Sequence, residues 1–576
     1  SIVYIYLCRV LHRHLMCIEC LAIEGEEVDV VVAMRDLAID QCFWIEGENL
    51  LHTAIEDGSE ELTVVAAPRN AAYGIVQFGR EVGAMNKERA DEIYGQGMIL
   101  SIIIAAIIVV LLVLSQDVYF KANGVIGEIY ELACVYYRLT PINAALSVMV
   151  AYLTQMVYTD GDEAVNNLSY GLQIGGNIIM SVILAYFYGM TGIILGSIIG
   201  NVMGLLAALL HFFRKSNTLH FVWHFSVSDI LQTVKFSIVD AAIYLCWGVM
   251  DYILIGHVST RYGDVGQVTL AMVISVIEFG VVMDGIGMAI QPLLGTYFGE
   301  KNHVMIKRLM RAAGKAAVVE GLIASVLVFV FAKQFCWLFG IKAGSSLISC
   351  IQAVRIASIG MVFCSIVSLM TSYYMLIDHV ALSVGITFLK DGVFYSVLPL
   401  VGSVLFHENG MWVGVAVSPL LALGISFLFI RLRYGKEAFP YLLETNGADI
   451  IVIDDTLRSD ICAKLSEQIY ALLCEAGYPK NTATRASLFV EEIGLTILEK
   501  NENAALLVEL SLLFEQDSVL LIERDSGEIF DLTDPNLKID GLSRFILSGI
   551  MEAHNEKAYL VTTGYNRNMI RFVKKV

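Results

Sequence analysis

Long apolar runs, separated by short charged segments, dominate the chain between residues 97 and 432. An α-helix needs roughly 20 apolar residues to cross the hydrocarbon core of a bilayer, and the pattern predicts about ten such helices. The predicted spans are 97–115, 132–158, 168–188, 191–213, 230–255, 268–294, 316–339, 351–377, 380–406 and 411–432. Because these helices are apolar nearly all round, the pattern does not separate lipid-facing from core-facing sides.

Two parts of this apolar region resemble each other. The segment "FGREVGAMNKERA" at residue 78 echoes "LGTYFGEKNHVMI" at residue 294, which aligns Gly79 with Gly295 and Gly83 with Gly299. The segments "MTGIILGS" and "NGMWVGVA" match in the same order. Internal repeats in the same orientation predict two lobes related by an axis along the membrane normal.

By this symmetry, two further helices are expected before residue 97. The stretch "GEEVDVVVAMRDLAIDQCFWIEGENLLHTAIEDGSEEL" is too polar to span a membrane. One local echo, "EVDVVVAMRD" against "VMDYILIGHV", pairs Asp29 with Asp251. Truncation, a damaged reading frame and divergence all stay open as explanations.

The distribution of Lys and Arg predicts the orientation in the membrane. These residues concentrate in the loops around residues 80–89, 214–215, 301–315 and 431–436, while the alternate loops contain few. The rich side is expected to be cytoplasmic. Since the chain leaves its last predicted span on that side, the C-terminal domain is also predicted to be cytoplasmic.

Composition supports a membrane protein with a soluble appendage. Of 576 residues, 57% are hydrophobic and 16% charged, and the mean hydropathy is +0.67. Soluble domains are less apolar and more charged. The net charge of −19 comes from acids near both ends, so no nucleic-acid partner is expected. The 11 cysteines are scattered, and Cys17 and Cys20 form a lone pair, so no metal site is predicted.

Acidic residues inside the predicted spans are the candidates for ion coupling and substrate binding, since buried carboxylates are costly in a membrane. Asp240 and Asp251 are three helical turns apart and share one face. Glu278 and Asp284 lie on the next helix, and Asp29 is the first-lobe counterpart of Asp251. Hydrogen-bonded packing acids, or a solvated helix end for Asp251, are the structural alternatives.

Two neighbouring features have mainly structural interpretations. Lys390 and Asp391, within a predicted span, are expected to form a local ion pair. Pro292, after Gln291, removes a backbone donor and predicts a bend in its helix. An ordinary proline near a helix end is the alternative.

The segment "MDGIGMAIQPLLGTYFGEKN" (residues 283–302) resembles the multidrug and toxin extrusion (MATE) family, in which a Q-P-L precedes a glycine-x-x-x-glycine pattern. "ENGMWVGVAVSPL" and "GVMDYILIGHV" resemble other segments of that family. The resemblance implies a polytopic α-helical bundle of twelve helices in two lobes, located in the plasma membrane. It implies export of organic cations or drugs against Na⁺ or H⁺, with the bilayer as a partner and no required cofactor.

The end of the chain resembles a second family. "IERDSGEIFDLTD" (residues 522–534) is similar to the adenine-binding box of histidine-kinase-type ATPases, in their anti-sigma-factor-like branch. "ATRASLFVEEIGLTILEKN" and "AYLVTTGYNRNMIRFV" resemble the acidic helix and the closing strands of that fold. The resemblance implies a C-terminal α/β sandwich that binds ATP or ADP and contacts a cytoplasmic regulatory protein.

The resemblance assigns roles residue by residue. Asp525 would accept the adenine amino group, Gly527 would let the backbone approach the ring, and Asp531 belongs to the same box. Glu492 would be the acid that activates water, but the Mg²⁺-binding Asn expected four residues later is Thr496. Hydrolysis is therefore not expected, and the chain is predicted to be a transporter and not an enzyme.

These observations divide the chain into a divergent segment 1–95, the remainder of a first lobe 96–215, a second lobe 216–440 and an ATPase-like domain 449–576. The predicted function is secondary efflux regulated by the C-terminal domain. A transport-inactive sensor or scaffold, and a flippase for lipid-linked glycans, are the alternatives.

Overall fold

The computed structural model describes residues 77–84, 86–122, 128–214, 217–279, 283–339, 341, 344–438, 450–502, 506–515, 517–528, 530, 532, 541–553, 557–559 and 566–574. Asp29 and the rest of residues 1–76 of the divergent segment lie outside these residues, as does Asp531. The predicted pairing of Asp29 with Asp251 is therefore not tested.

The first lobe contains helices that follow a short helical segment at residues 77–83. They are α1 (Lys87–Ala122), α2 (Glu128–Tyr137), α3 (Thr140–Thr159), α4 (Glu163–Tyr188) and α5 (Met190–Leu209). Helices α4 and α5 approach closely, because a Cβ placed on Gly196 would lie 2.3 Å from the Ser181 backbone nitrogen. Small residues permit this approach between membrane helices, where packing replaces the hydrophobic effect as the driving force.

The second lobe combines long helices with several short helical segments. They are α6 (Val227–Arg261), α7 (Gly263–Phe279), α8 (Gly285–Ala289), α9 (Gln291–Gly299), α10 (His303–Val330), α11 (Ala332–Leu338), α12 (Ser345–Ser358), α13 (Met361–Leu376), α14 (Val380–Thr387) and α15 (Tyr395–Ala438). A π-helix, Phe388–Phe394, joins α14 to α15. A sharp kink interrupts α15 at His407, where φ is +58°, between two predicted spans.

Among the described residues, six helices are long and apolar enough to cross a membrane, and the bent pair α12 and α13 makes a seventh. One of the six extends through the kink at His407 over 56 residues. The described helices therefore support a multi-span bundle, while the count of ten spans stays a prediction.

The two lobes meet at glycines that the internal repeat aligned. A Cβ on Gly79 would lie 3.4 Å from the Gly295 Cα, and a Cβ on Gly295 would lie 3.4 Å from the Gly79 Cα. Gly83 and Gly299 approach more closely, since either Cβ would lie 2.9 Å from the Cα of the other residue. Equivalent residues of a repeat meet in this way on a two-fold axis, so the contact supports the predicted pseudosymmetry.

The C-terminal domain is an antiparallel sheet with helices on one face. Its strands β1 (Ile450–Leu457), β2 (Leu506–Phe514), β3 (Ser518–Asp525), β4 (Lys557–Tyr559) and β5 (Asn566–Val573) are arranged in the order β1-β2-β3-β5-β4. Helices α16 (Ser459–Glu475), α17 (Lys480–Lys500) and α18 (Gly541–Ala553) contribute to a core with the sheet. The predicted α/β layering is present, while its membership of the histidine-kinase type stays a prediction.

Candidate functional site

A group of charged side chains lies inside the second lobe, where most side chains are apolar. Asp284, just before α8, accepts a hydrogen bond from Ser368 of α13. One turn earlier on α13, the Ser365 hydroxyl donates to Glu320 Oε2 of α10 at 3.0 Å. The two acids are neighbours, since a Cβ on Gly285 would lie 3.5 Å from Glu320 Oε1.

A second pair of charges extends this group. Lys390 Nζ lies 3.3 Å from Asp391 Oδ1, and Trp247 Nε1 of α6 donates to the same Asp391 oxygen at 3.2 Å. The predicted ion pair is therefore present. Both residues belong to the π-helix, and such segments are frequent at functional sites because they change which side chains face inward.

We refer to Asp284, Glu320, Lys390 and Asp391 as the membrane acid cluster. Asp284 interacts electrostatically with Glu320, Lys390 and Asp391. Three carboxyl groups face one ammonium group, so full ionisation would leave an excess of negative charge in a low-dielectric region. Such an excess is relieved by a bound proton, a metal cation or an organic cation, which gives the cluster the chemistry of a cation-exchange site.

The other acids proposed from the sequence include two on α6 and one on α7. Asp240 and Asp251 do lie on one continuous helix, α6, although the Asp240 side chain is outside the described part of the structure. Asp251 is partly buried on that helix, and Glu278 is partly buried in the last turn of α7. Of the predicted coupling residues whose side chains the structure describes, Asp284 is the one that joins the membrane acid cluster.

Gln291 and Pro292, where a bend was predicted, lie at a break between two short helices, and the bend itself stays a prediction. Helix α8 ends at Ala289, and α9 begins at Gln291 with Pro292 in its first turn. Both residues are buried. The two helices are separated by Ile290 alone, just before the proline that removes a backbone donor, and α9 ends at the Gly299 contact.

A buried polar pocket lies at one end of the C-terminal sheet, between β3 and β5. Asp525 Oδ1 accepts hydrogen bonds from the Gly527 backbone N–H at 2.7 Å and from Asn566 Nδ2 at 3.0 Å. A Cβ on Gly527 would lie 2.5 Å from Asn501 Nδ2. The absence of a side chain at Gly527 thus leaves room for Asn501, while the predicted approach of the backbone to an adenine ring stays a prediction.

A second carboxyl group borders this pocket. Glu523, on the same strand face as Asp525, is fully buried and accepts a hydrogen bond from Asn568 Nδ2 at 2.8 Å. Burial, together with the charge of Asp525, raises the pKa of Glu523 well above its ordinary range. Burial also raises the pKa of Asp525, which its hydrogen bonds with Asn566 and Gly527 oppose. The two groups therefore favour a shared proton.

The residues proposed for water activation and Mg²⁺ binding make other contacts. Glu492 of α17 is buried, and its Oε2 accepts a hydrogen bond from the Ser543 hydroxyl of α18 at 2.6 Å. The Thr496 hydroxyl donates to the Glu492 carbonyl oxygen at 2.8 Å. Thr496 thus uses its side chain within the helix, which agrees with the expectation that it does not replace the Mg²⁺-binding Asn.

The sequence interpretation missed Glu320 and the partners of Glu300. Glu320 stands alone in "VVEGLIAS", and its position in a predicted span was a sufficient signal under the rule that selected Asp240. Glu300 had no such signal, because an acid in the charged loop "GEKNH" is normally solvated. Its burial depends on the C-terminal domain, more than 200 residues away in the chain.

The MatE family model matches residues 237–390, which contain Asp284, Glu320 and Lys390 of the membrane acid cluster and end one residue before Asp391. This match covers most of the second lobe. The membrane bundle has the MATE fold. Proteins of the MATE family are secondary transporters and not enzymes. No curated protein matches the chain by sequence.

Solved structures of MATE transporters support this fold over most of the membrane region. A MATE structure in the bent conformation is 20% identical, with a TM-score of 0.59, and the match covers 70% of this chain and 91% of that chain. An outward-facing multidrug resistance MATE family transporter of the MOP superfamily is 20% identical, with a TM-score of 0.61, covering 75% and 95%. A MOP superfamily transporter from Pyrococcus furiosus is 20% identical, with a TM-score of 0.60 and the same coverage.

Proposed function

We propose that the chain is a secondary exporter of organic cations or drugs, driven by influx of Na⁺ or H⁺. The membrane acid cluster is the observation that carries this proposal. A cation-binding group with surplus carboxylates, enclosed by helices of one lobe of a MATE-type bundle, provides the buried charge that antiport requires.

The proposed mechanism is competition for the same negative charge. When Na⁺ or H⁺ neutralises the carboxylates, an organic cation loses its electrostatic attraction to the lobe and is released. When the ion leaves, the excess negative charge is restored and a new cation binds. Asp240, Asp251 and Glu278 stay candidates for additional steps on this route, and Asp29 stays a candidate in the first lobe.

We further propose that the C-terminal domain is a cytoplasmic regulator in a plasma-membrane protein, and that it binds adenine nucleotide without turnover. Its sheet contacts the loop that follows α9, through Arg524 and Glu300, so the domain shares one side of the bundle with a Lys- and Arg-rich loop. That arrangement agrees with the orientation predicted from the loop charges.

The membrane acid cluster can be tested by substitution of Glu320. We expect Glu320→Gln to lower ion-driven ethidium efflux from proteoliposomes by about 10-fold or more, which corresponds to about 1.4 kcal/mol, because a neutral amide does not attract a cation or exchange a proton. Asp378→Asn is the matched control. Asp378 is exposed in a turn of the same lobe with φ of +69°, a conformation that Asn tolerates.

Efflux by Glu320→Gln equal to that of the unsubstituted protein would remove Glu320 from the coupling site. No ethidium efflux by the unsubstituted protein, with either a Na⁺ or a pH gradient, would favour a different cargo or the sensor alternative. The sensor alternative has support from the C-terminal domain itself, which is packed against the bundle. A glycan flippase would transport a lipid-linked substrate and would not export ethidium.

A further inference from the structure

The second face of the C-terminal sheet is covered by the membrane bundle. Strand β3 shows this directly, because every one of its residues is buried, on both faces. Residues 519 and 521 face the domain's own helices, while the intervening positions face away from them. We name the face turned away from the helices the docking face; its polar members include Asp454, Glu509, Ser511, Arg524 and Arg567.

Strands β1 and β2 of the docking face contact the start of α10 and the loop before it. Arg308 forms an ion pair with Asp454 of β1, and Asn302 Nδ2 donates to the Ser511 hydroxyl of β2 at 3.2 Å. These contacts attach the sheet to the second lobe.

The central contact of the docking face is made by two arginines. Arg524 of β3 and Arg567 of β5 are paired in the sheet register. Arg524 forms an ion pair with Glu300 and lies over the Tyr297 ring, 4.8 Å from its centroid. Arg567 Nη1 lies 3.2 Å from the same Glu300 oxygen. Glu300 and Arg567 are both fully buried.

Arg567 also contacts the first lobe. Its Nη2 donates to the Val82 carbonyl oxygen at 2.7 Å and to the Gly83 carbonyl oxygen at 3.3 Å. Gly83 is the residue that packs against Gly299, immediately before Glu300. One guanidinium group therefore bonds to both lobes at the point where their backbones touch.

These contacts depend on the lobes staying together. Arg567 keeps its positive charge at neutral pH, although burial lowers its pKa to about 10. A buried arginine is stable only when its carboxylate and its carbonyl acceptors are all in place. Separating the helical segment that contains Val82 from Glu300 would remove either the carbonyl acceptors or the carboxylate, and the buried charge of Arg567 would be poorly compensated.

We propose that Arg524, Arg567 and Glu300 form a latch by which the C-terminal domain holds the two lobes closed on its own side of the membrane. Opening of that side requires the docking face to leave the lobe junction, so the domain restrains the conformational cycle. The effect of the latch on the transport rate rests on the proposed function. The contact between the domain and the two lobes does not depend on it.

The test measures the distance between the lobes in the intact protein. Spin labels are attached through unnatural amino acids at positions 88 and 311, which are exposed in the first and second lobes. Double electron–electron resonance is recorded for the unsubstituted protein, Glu300→Gln and Arg567→Gln. The control is Asp454→Asn, which breaks an exposed ion pair across the same interface.

We expect Glu300→Gln to add a longer-distance population and to increase the fraction of open molecules by about 5-fold or more, the lower range of coupling between sites. Arg567→Gln should do the same from the other side of the contact, and Asp454→Asn should leave the distribution unchanged. Unchanged distances in both Glu300→Gln and Arg567→Gln would overturn the latch, as would equal opening in Asp454→Asn.

Ethidium efflux measured on the same variants separates the two proposals. Faster efflux by Glu300→Gln, together with longer distances, supports both the latch and transport. Longer distances without ethidium efflux in any variant support the latch and count against the proposed transport of organic cations.

Discussion

Two carboxyl groups in the C-terminal sheet illustrate how position along a strand determines chemistry. Glu523 and Asp525 are two residues apart, so they project from the same face into the buried pocket, while Arg524 projects from the other face. The sequence predicted the importance of Asp525 and Gly527. It did not predict the neighbouring acid, because in an isolated sequence Glu523 is equally compatible with a solvated strand end.

The pKa of Glu523 predicts a pH dependence of local stability. Since the folded-state pKa is raised above the ordinary value of 4.5, the folded chain binds a proton that the unfolded chain releases. Stability is full below pH 4.5 and falls as pH rises toward the folded-state pKa, by about 1.4 kcal/mol per pH unit. We expect hydrogen-exchange protection factors of β3 to fall from pH 5 to 8 in the intact protein.

Glu523→Gln should abolish that fall, because the amide is neutral at every pH and keeps an oxygen for Asn568 Nδ2. The control is Glu515→Gln, a partly exposed acid just beyond β2. A decline in β3 protection that persists in Glu523→Gln would show that another group controls the pH dependence.

Asp525 supports a separate prediction about nucleotide binding. We expect ATP and ADP to bind the intact protein with similar affinity and little Mg²⁺ dependence, because the Thr496 hydroxyl is engaged within α17. Asp525→Ala should eliminate the binding, since it removes the only proposed acceptor for the base. Isothermal titration calorimetry measures both effects. Tight, strongly Mg²⁺-dependent ATP binding with steady hydrolysis would contradict the role given to Thr496.

At the scale of elements, the strands of the C-terminal domain contained a signal that the sequence interpretation did not use. The run "VLLI" in β3 is apolar at four consecutive positions, which is typical of a strand buried on both faces. In a sheet with one solvated face, apolar and polar residues would alternate along each strand. Leu520 and Ile522 therefore belong to a second small core with Leu513 and Met569, on the docking face.

This second core predicts the behaviour of the isolated domain. We expect residues 441–576 to fold cooperatively, because the helices and sheet form their own core. They should also self-associate, since the apolar part of the docking face becomes exposed. Ile522→Thr should reduce self-association in analytical ultracentrifugation while a cooperative thermal transition remains.

The neighbouring residue provides the control for that experiment. Leu521 is fully buried on the helix-facing side, and Leu521→Ala should cost about 2–5 kcal/mol of unfolding free energy. A fragment without a cooperative transition, whatever its exact start between residues 440 and 449, would show that the domain depends on the bundle to fold.

At the scale of the whole molecule, the repeat in the sequence predicted which residues meet between the lobes. The aligned glycines do meet, yet they differ in how much space surrounds them. A Cβ on Gly79 has its closest neighbour at 3.4 Å, whereas a Cβ on Gly83 would lie 2.3 Å from the Thr296 carbonyl oxygen. The sequence could not supply this difference, because it depends on the angle between the two lobes.

The difference predicts unequal effects of the same substitution. Gly83→Ala should destabilise the lobe junction by about 1–3 kcal/mol, the usual cost of overpacking, because its methyl group meets backbone that cannot rotate away. Gly79→Ala should change stability by less than about 0.5 kcal/mol. Thermal unfolding of both variants in detergent tests this prediction. Equal melting temperatures would contradict the close approach of the Gly83 and Thr296 backbones.

The paired registers of β3 and β5 connect two parts of the molecule in one further way. Asp525 and Asn566 are partners on one face, and the adjacent partners Arg524 and Arg567 bond to the lobe junction on the other. Thermodynamic reciprocity then applies: if a nucleotide at Asp525 changes the occupancy of the closed state, the closed state must change nucleotide affinity by the same factor. Through the sheet, the concentration of nucleotide in the cell would then influence how often the lobes open, and opening of the lobes would change how tightly nucleotide binds.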